Sequence, residues 1–182
     1  MNKSVKTAAG VMCATAMVMA MSSSVFAEEG KTLKVAMECG YAPYNWTQPT
    51  DENGAVQIAD STEYAYGYDV MMAKHICDEL GYNLEIVKMD WDSLVPAVVS
   101  GNVDCVIAGQ SITAERQEMV DFTDPYYYAS IITLTKSDSK YADAKGVADL
   151  AGATCTSQLN TIWYDNCLPQ IKDANILPAQ AS

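Results

Sequence analysis

The run from Gly101 to Tyr128, G-N-V-D-C-V-I-A-G-Q-S-I-T-A-E-R-Q-E-M-V-D-F-T-D-P-Y-Y-Y, constrains the fold more than any other stretch of the chain. Gly101 and Asn102 make a turn, and Val103 to Ala108 is an apolar run of strand length, as expected of a parallel strand covered on both faces. Gly109, Gln110 and Ser111 follow at its carboxyl end, where open α/β sheets hold their ligands. Thr113 is placed to cap a short helix, with Glu115 and Glu118 in its first turns, where acidic groups suit the dipole. Arg116 then lies on the first turn with its side chain directed back toward the loop. A guanidinium fork, the Ser111 hydroxyl and free backbone N–H groups converge there on one small anion. A carboxylate fits that description.

The remainder alternates strand and helix in the manner that builds parallel sheets. Thr32 to Met37 is a first strand, and the Gly- and Pro-broken loop after it brings Glu38 and Tyr41 to the same rim as Ser111. Thr47 to Tyr66 is polar without a sustained period and reads as a long excursion with a hairpin at Asn53-Gly54. Tyr44 and Trp46 at its base either anchor it or line the cleft. Asp69 caps a helix whose face is marked by Val70, Ala73, Cys77 and Leu80 and which Gly81 ends. His75, the one histidine, falls on the polar face and is assigned no role. Leu84 to Met89 is a second strand. It delivers Trp91 to the rim, and Asp92 caps a helix from Ser93 to Ser100. Val120 to Thr123 and Ile131 to Thr135 are short β-rich pieces. Val147 to Leu150 is a short helix closed by Gly152. Ala153 to Thr156 begins a new strand, followed by the polar loop Ser157 to Thr161 and the helical I-W-Y-D-N-C-L. That order of strand, polar loop and helix start repeats the plan of the first half.

Composition narrows the partners. The 182 residues carry a formal charge of -12 and are 49% hydrophobic, enough apolar material for a core. A chain this acidic without a basic cluster cannot neutralise phosphates, so no nucleic acid partner is expected. Met1 to Ala27 reads as a targeting segment: Lys3 and Lys6, an apolar stretch from Thr7 to Met21, and a Val25-Phe26-Ala27 cleavage site. Cleavage after Ala27 is expected; the alternative is an uncleaved anchor, for which the stretch is short. Cys13 sits in a poor lipobox. Removal of the segment takes the formal charge to -14 and leaves Cys39, Cys77, Cys105, Cys155 and Cys167. None forms a C-x-x-C pair and no histidine is near, so neither a metal nor another cofactor is expected. Buried thiols are favoured over a disulfide frame, with Cys155 and Cys167 the one pair to check.

The runs A-G-Q-S-I-T-A-E-R and V-D-F-T-D-P-Y-Y, preceded by M-D-W-D-S-L-V-P, resemble those of the extracytoplasmic solute-binding proteins of polar amino acid ABC transporters. The resemblance covers the chain from about Leu33 onward. It implies a two-lobed, periplasmic-binding-protein-like (type II) α/β fold, with the first lobe largely present and the second incomplete. The expected division is a signal peptide at 1–27, a ligand-binding lobe at 28–131, and a hinge with the start of the second lobe at 132–182. It further implies an exported monomer that binds a free L-amino acid and passes it to an ABC transporter permease. Arg116, helped by Ser111, would hold the ligand's α-carboxylate, while the Gly109 carbonyl and Ser111 accept from its ammonium. Glu38 would face the ligand's side chain or amino group, Tyr41 and Trp91 would stack on its two sides, and Thr161 would close from the second lobe. A carboxylate at position 38 favours a basic or amide side chain. For Glu38 and Tyr41 the alternative is a surface acid and a packing tyrosine, and for Trp91 a core plug. The resemblance usually carries glycine where this chain has Asn160, a residue that tolerates left-handed backbone. Two other functional readings remain open: a cyclohexadienyl dehydratase-like enzyme on the same fold, with Glu38 as general acid, and an extracellular sensor domain.

Overall fold

The computed structural model describes residues 30–180, so the expected signal peptide, its cleavage site and Cys13 lie outside the described residues. The first lobe is built around strand β1 (Thr32–Met37). Its last three residues, Val35, Ala36 and Met37, are fully buried because β1 is the middle strand of three. After it the chain forms β2 (Gly40–Tyr41), β3 (Asn45–Gln48), β4 (Val56–Gln57) and β5 (Tyr64–Tyr66), a small antiparallel sheet in the order β2-β3-β5-β4. Asn53 and Gly54 do turn, with φ of 62° and 81°, but the strands they join are not neighbours. β5 lies between β3 and β4, so the expected hairpin at Asn53-Gly54 gives way to one between β4 and β5. The apolar positions of β5 select that pairing, since Ala65 is fully buried while the polar Glu52 and Asn53 are exposed.

Helix α1 (Tyr68–Leu80) presents Val70, Ala73 and Cys77 to the core at helical spacing and ends at the left-handed Gly81 (φ 68°). Leu80, expected on the same face, is 57% exposed. Strand β6 (Asn83–Lys88) pairs parallel with β1 from Thr32 opposite Asn83 to Met37 opposite Lys88. Helix α2 (Leu94–Val99) buries Leu94 and Ala97. Strand β7 (Cys105–Val106) pairs parallel with Val35 and Ala36 on the other side of β1, giving the order β6-β1-β7. It is shorter than the expected run, although Val103, Ile107 and Ala108 are buried beside it. Helix α3 (Ala114–Gln117) follows, with Thr113 Oγ1 accepting from the Arg116 N–H at 3.2 Å as its cap.

Val120 to Thr123 and Ile131 to Thr135 form no strand. Both have β-forming composition, but a strand exists only against a neighbour, and none of the described residues pairs with them. Within the expected second-lobe region, the 3-10 turn Val147–Leu150 precedes two parallel strands, β8 (Thr154–Gln158) and β9 (Asn175–Ala179). β9 has no counterpart among the expected elements, and Pro178 interrupts its short apolar run. At a sheet edge the missing proline N–H costs nothing. Leu150, Ala153 and Ile171 form a separate small core. The five described cysteines are all free, so Cys155 and Cys167 are not bridged. No described helix is long and apolar enough to cross a membrane.

Candidate functional site

The carboxyl ends of β1, β6 and β7 open onto one cavity between the lobes. All seven residues singled out in the sequence line it: Glu38, Tyr41, Trp91, Gly109, Ser111, Arg116 and Thr161. The parallel sheet explains the first six. Strands pointing the same way end at the same rim, so loops distant in sequence deliver their side chains to one place. Thr161 reaches it from the loop after β8, the equivalent position in the second lobe.

Gly109 has a φ of 59°, and a methyl group on it would lie 3.4 Å from Tyr41 Cε1. The left-handed turn and the close tyrosine ring both favour glycine there. Arg116 donates from Nη1 to the Ser111 carbonyl at 2.7 Å and from Nη2 to the Asn160 carbonyl at 3.0 Å, and its guanidinium stands 5.5 Å from the centre of the Trp91 ring. These contacts hold it without neutralising it, and three of its five N–H donors remain for a guest. Burial shifts its pKa downward, against the opposing pull of Glu115 and Asp165. It remains cationic at any ordinary pH.

Glu38 accepts at Oε1 from Gln158 Nε2 at 2.9 Å. Its pKa is raised by burial, which outweighs the Gln158 hydrogen bond, and Asp90 and Asp92 raise it further. Glu38 and Arg116 line the same cavity yet form no ion pair. Among the described residues the only salt bridge joins Lys34 and Glu85, at 3.3 Å. The cavity therefore holds one positive and one negative group, each available to a ligand.

The lobes meet across this space. Asn160 Nδ2 donates to Asp92 Oδ1 at 2.7 Å, and Trp91 Nε1 donates to the Asn160 carbonyl at 3.0 Å. Asp92 thus bonds the second lobe and makes no cap for α2; the 3-10 turn Trp91–Ser93 precedes that helix instead. Asn160 does adopt the left-handed backbone expected of it, with φ 58°. Thr161 Oγ1 donates to the Gln158 carbonyl at 2.6 Å and accepts from the Tyr164 N–H at 3.3 Å, so it ties the end of β8 to the start of the turn Trp163–Cys167. Sequence reasoning missed Gln158, Ile162 and Trp163 in the lining. Their signal was available, because β8 runs on to Gln158 and the repeated strand-loop-helix plan makes its end the counterpart of Glu38.

Asp69 is a further correction. The cap position of α1 is Gly67, with no side-chain hydrogen bond, and Asp69 lies fully buried within the first turn. It accepts from Asn45 Nδ2 and the Tyr126 hydroxyl, each at 2.7 Å.

A sequence model of the bacterial extracellular solute-binding proteins, family 3, matches residues 33–175. The chain belongs to this family. Among relatives of this family 3 protein, the arginine-binding extracellular protein ArtP of Bacillus subtilis is 41% identical over 96 residues, covering 53% of this chain and 36% of ArtP. The arginine-bound form of truncated ArgBP from T. maritima is similar in structure, with a TM-score of 0.65 at 30% identity over 82% of this chain and 64% of that one. The ancestral amino acid-binding protein AncCDT-1, described as a precursor of cyclohexadienyl dehydratase, has a TM-score of 0.64 at 30% identity, covering 82% of this chain and 61% of its own. The chain spans 34 to 50% of the length of the curated relatives it matches. ArtP and a second relative are arginine-binding proteins, and the solved structures share the periplasmic-binding-protein-like α/β fold of this chain.

Proposed function

We propose that this protein, after export and removal of residues 1–27, is a monomeric receptor for a free L-amino acid with a basic or amide side chain. It passes that solute to an ABC transporter permease. The observation that carries the reading is the pair of unlike, mutually unpaired charges of Arg116 and Glu38 in one interlobe cavity. A zwitterionic amino acid with a cationic side chain complements both. Its α-carboxylate takes the remaining guanidinium N–H donors of Arg116, through charge-assisted bonds worth about 1.5–3 kcal/mol each. Its ammonium takes backbone carbonyls of the Gly109 loop, and the Ser111 hydroxyl assists. Tyr41 and Trp91 flank the aliphatic stem, and the side-chain cation or amide reaches Glu38 beside Gln158. An acidic side chain would meet the Glu38 carboxylate and be rejected. Thr161 and the turn Trp163–Cys167 close over the ligand by hinge motion. The similarity to arginine-binding ArtP and to arginine-bound ArgBP supports the same reading.

A thermal-shift screen against the twenty L-amino acids and prephenate tests it. A ligand at about 100 times its Kd adds about 2.7 kcal/mol to the folded state, visible as a raised midpoint. Shifts with arginine, lysine, histidine or glutamine are the expected result. A shift with prephenate alone would favour a dehydratase-like enzyme, the reading that the similarity to AncCDT-1 makes specific.

A further inference from the structure

Two loops that bear the proposed ligand contacts are joined by a chain of hydrogen bonds that is buried at Asn45 and Asp69 and reaches the surface at Gly109. The Cys39 N–H, adjacent to Glu38, donates to Asn45 Oδ1 at 2.8 Å. Asn45 Nδ2 donates to Asp69 Oδ2, and the Tyr126 hydroxyl donates to Asp69 Oδ1. The same hydroxyl oxygen accepts from the Gly109 N–H at 2.9 Å. Asn45 and Asp69 are fully buried, and the residues between Gly109 and Tyr126 in sequence include all of α3. The chain thus ties the loop after β1 to the loop after β7 through a residue of the linker that leads to the second lobe.

We propose that Tyr126 is a positioning residue for the ligand's α-ammonium, acting through the Gly109 peptide and held in place by Asp69 and Asn45; the proposal rests on the receptor reading above. A peptide is planar and trans, so turning the Gly109 N–H to Tyr126 points the Ala108 carbonyl the opposite way. The left-handed Gly109 then sets the direction of its own carbonyl. Ala108 and Gly109 both line the cavity, and carbonyls are the acceptors an ammonium needs. Among the described residues, the Tyr126 hydroxyl is the partner that fixes the plane of this peptide. Asp69 serves as the acceptor that orients the hydroxyl: its two oxygens are taken by Tyr126 and Asn45, leaving Tyr126 one lone pair directed at Gly109. Burial raises the pKa of Asp69, and the two hydrogen bonds oppose that shift and favour the carboxylate. Tyr68 adds to the anchoring, its hydroxyl donating to the Tyr126 carbonyl at 3.3 Å and its ring stacking 6.0 Å from that of Tyr126.

The test compares two probes, L-arginine and 5-guanidinopentanoate, which keeps the carboxylate and the guanidinium but lacks the α-ammonium. In Tyr126→Phe, binding of L-arginine is expected to weaken about five- to tenfold, the effect of one hydrogen bond lost or misaimed. Binding of 5-guanidinopentanoate should change by less than about twofold, since its groups face Arg116 and Glu38. Equal losses for both probes, or no loss for either, would overturn the positioning role. If the variant does not fold, amide hydrogen exchange on the unsubstituted protein decides instead. L-arginine should slow exchange at Gly109 more than 5-guanidinopentanoate does at equal saturation, and equal protection would refute the proposal. Failure of the unsubstituted protein to bind L-arginine or any other amino acid would be a failure of the receptor reading itself, and the proposal would fall with it.

Discussion

Val103 to Ala108 and Ile131 to Thr135 are alike as sequences: short, apolar and rich in β-branched residues. The structure treats them oppositely. The first lies against β1 and buries Val103, Ile107 and Ala108, whereas the second is bare, with Ile132 83% and Leu134 94% exposed. Composition therefore does not separate them. What separates them is a neighbour: β1 offers a free hydrogen-bonding edge and a core to the first, and no described strand offers either to the second. β propensity is a statement about fitting a pleated, half-buried surface, and it has no content where that surface is missing.

The comparison can be broken most forcefully in the sheet. Ile86, on β6, is fully buried in the main core, and Ile86→Ala should lower stability by about 2–5 kcal/mol, read as a fall in the urea midpoint. A similar loss, this time of ligand affinity, is expected from Arg116→Ala. Calorimetric titration with L-arginine should show about 2–5 kcal/mol less binding energy, because the ligand carboxylate loses its fork and stays unpaired. An unchanged Kd would move the anion site away from the loop after β7. A smaller effect is expected from Glu38→Gln, about 1.5–3 kcal/mol against L-arginine and less against L-glutamine, which would reorder the ligands. The pH dependence sharpens this point. Burial, with Asp90 and Asp92, raises the pKa of Glu38, and a bound cation favours its ionised form. Affinity for L-arginine should therefore fall as pH drops through that raised pKa and level off above it, while Glu38→Gln should be flat over the same range. The smallest effect belongs to the bare linker, where Leu134→Ala should change stability by less than about 0.5 kcal/mol. A loss there comparable to that of Ile86→Ala would mean that the linker is packed in solution.

Much of the first lobe was legible because its signals are local. The apolar period of α1, the strand before Glu38, the cap at Thr113 and the turn at Gly81 each sit within a few residues of the feature they specify. The convergence of Glu38, Tyr41, Trp91 and Arg116 was legible for a different reason, since parallel strands deliver their carboxyl ends to one rim wherever they fall in the sequence. Three misreadings share one cause. Asp69 has the spacing of a helix cap, but its partners are Asn45 and Tyr126, 24 and 57 residues away. Asp92 likewise has the position of a cap and instead bonds Asn160, 68 residues on. Asn53 and Gly54 turn as their identities require, yet strand order is decided by which segment can bury Ala65. Partners at long separation leave no local mark, so polar residues that serve the tertiary structure resemble residues that serve their own helix.

The central claim is that one cavity presents unlike charges to an amino acid whose own charges complement them. Its most direct test is a pair of calorimetric titrations of the unsubstituted protein at neutral pH, with L-arginine and with L-glutamate. The two ligands share the α-carboxylate and ammonium and differ in the charge that reaches Glu38. The account predicts saturable one-to-one binding of L-arginine, with L-glutamate weaker by roughly tenfold or more. Equal affinities, or tighter binding of L-glutamate, would contradict it.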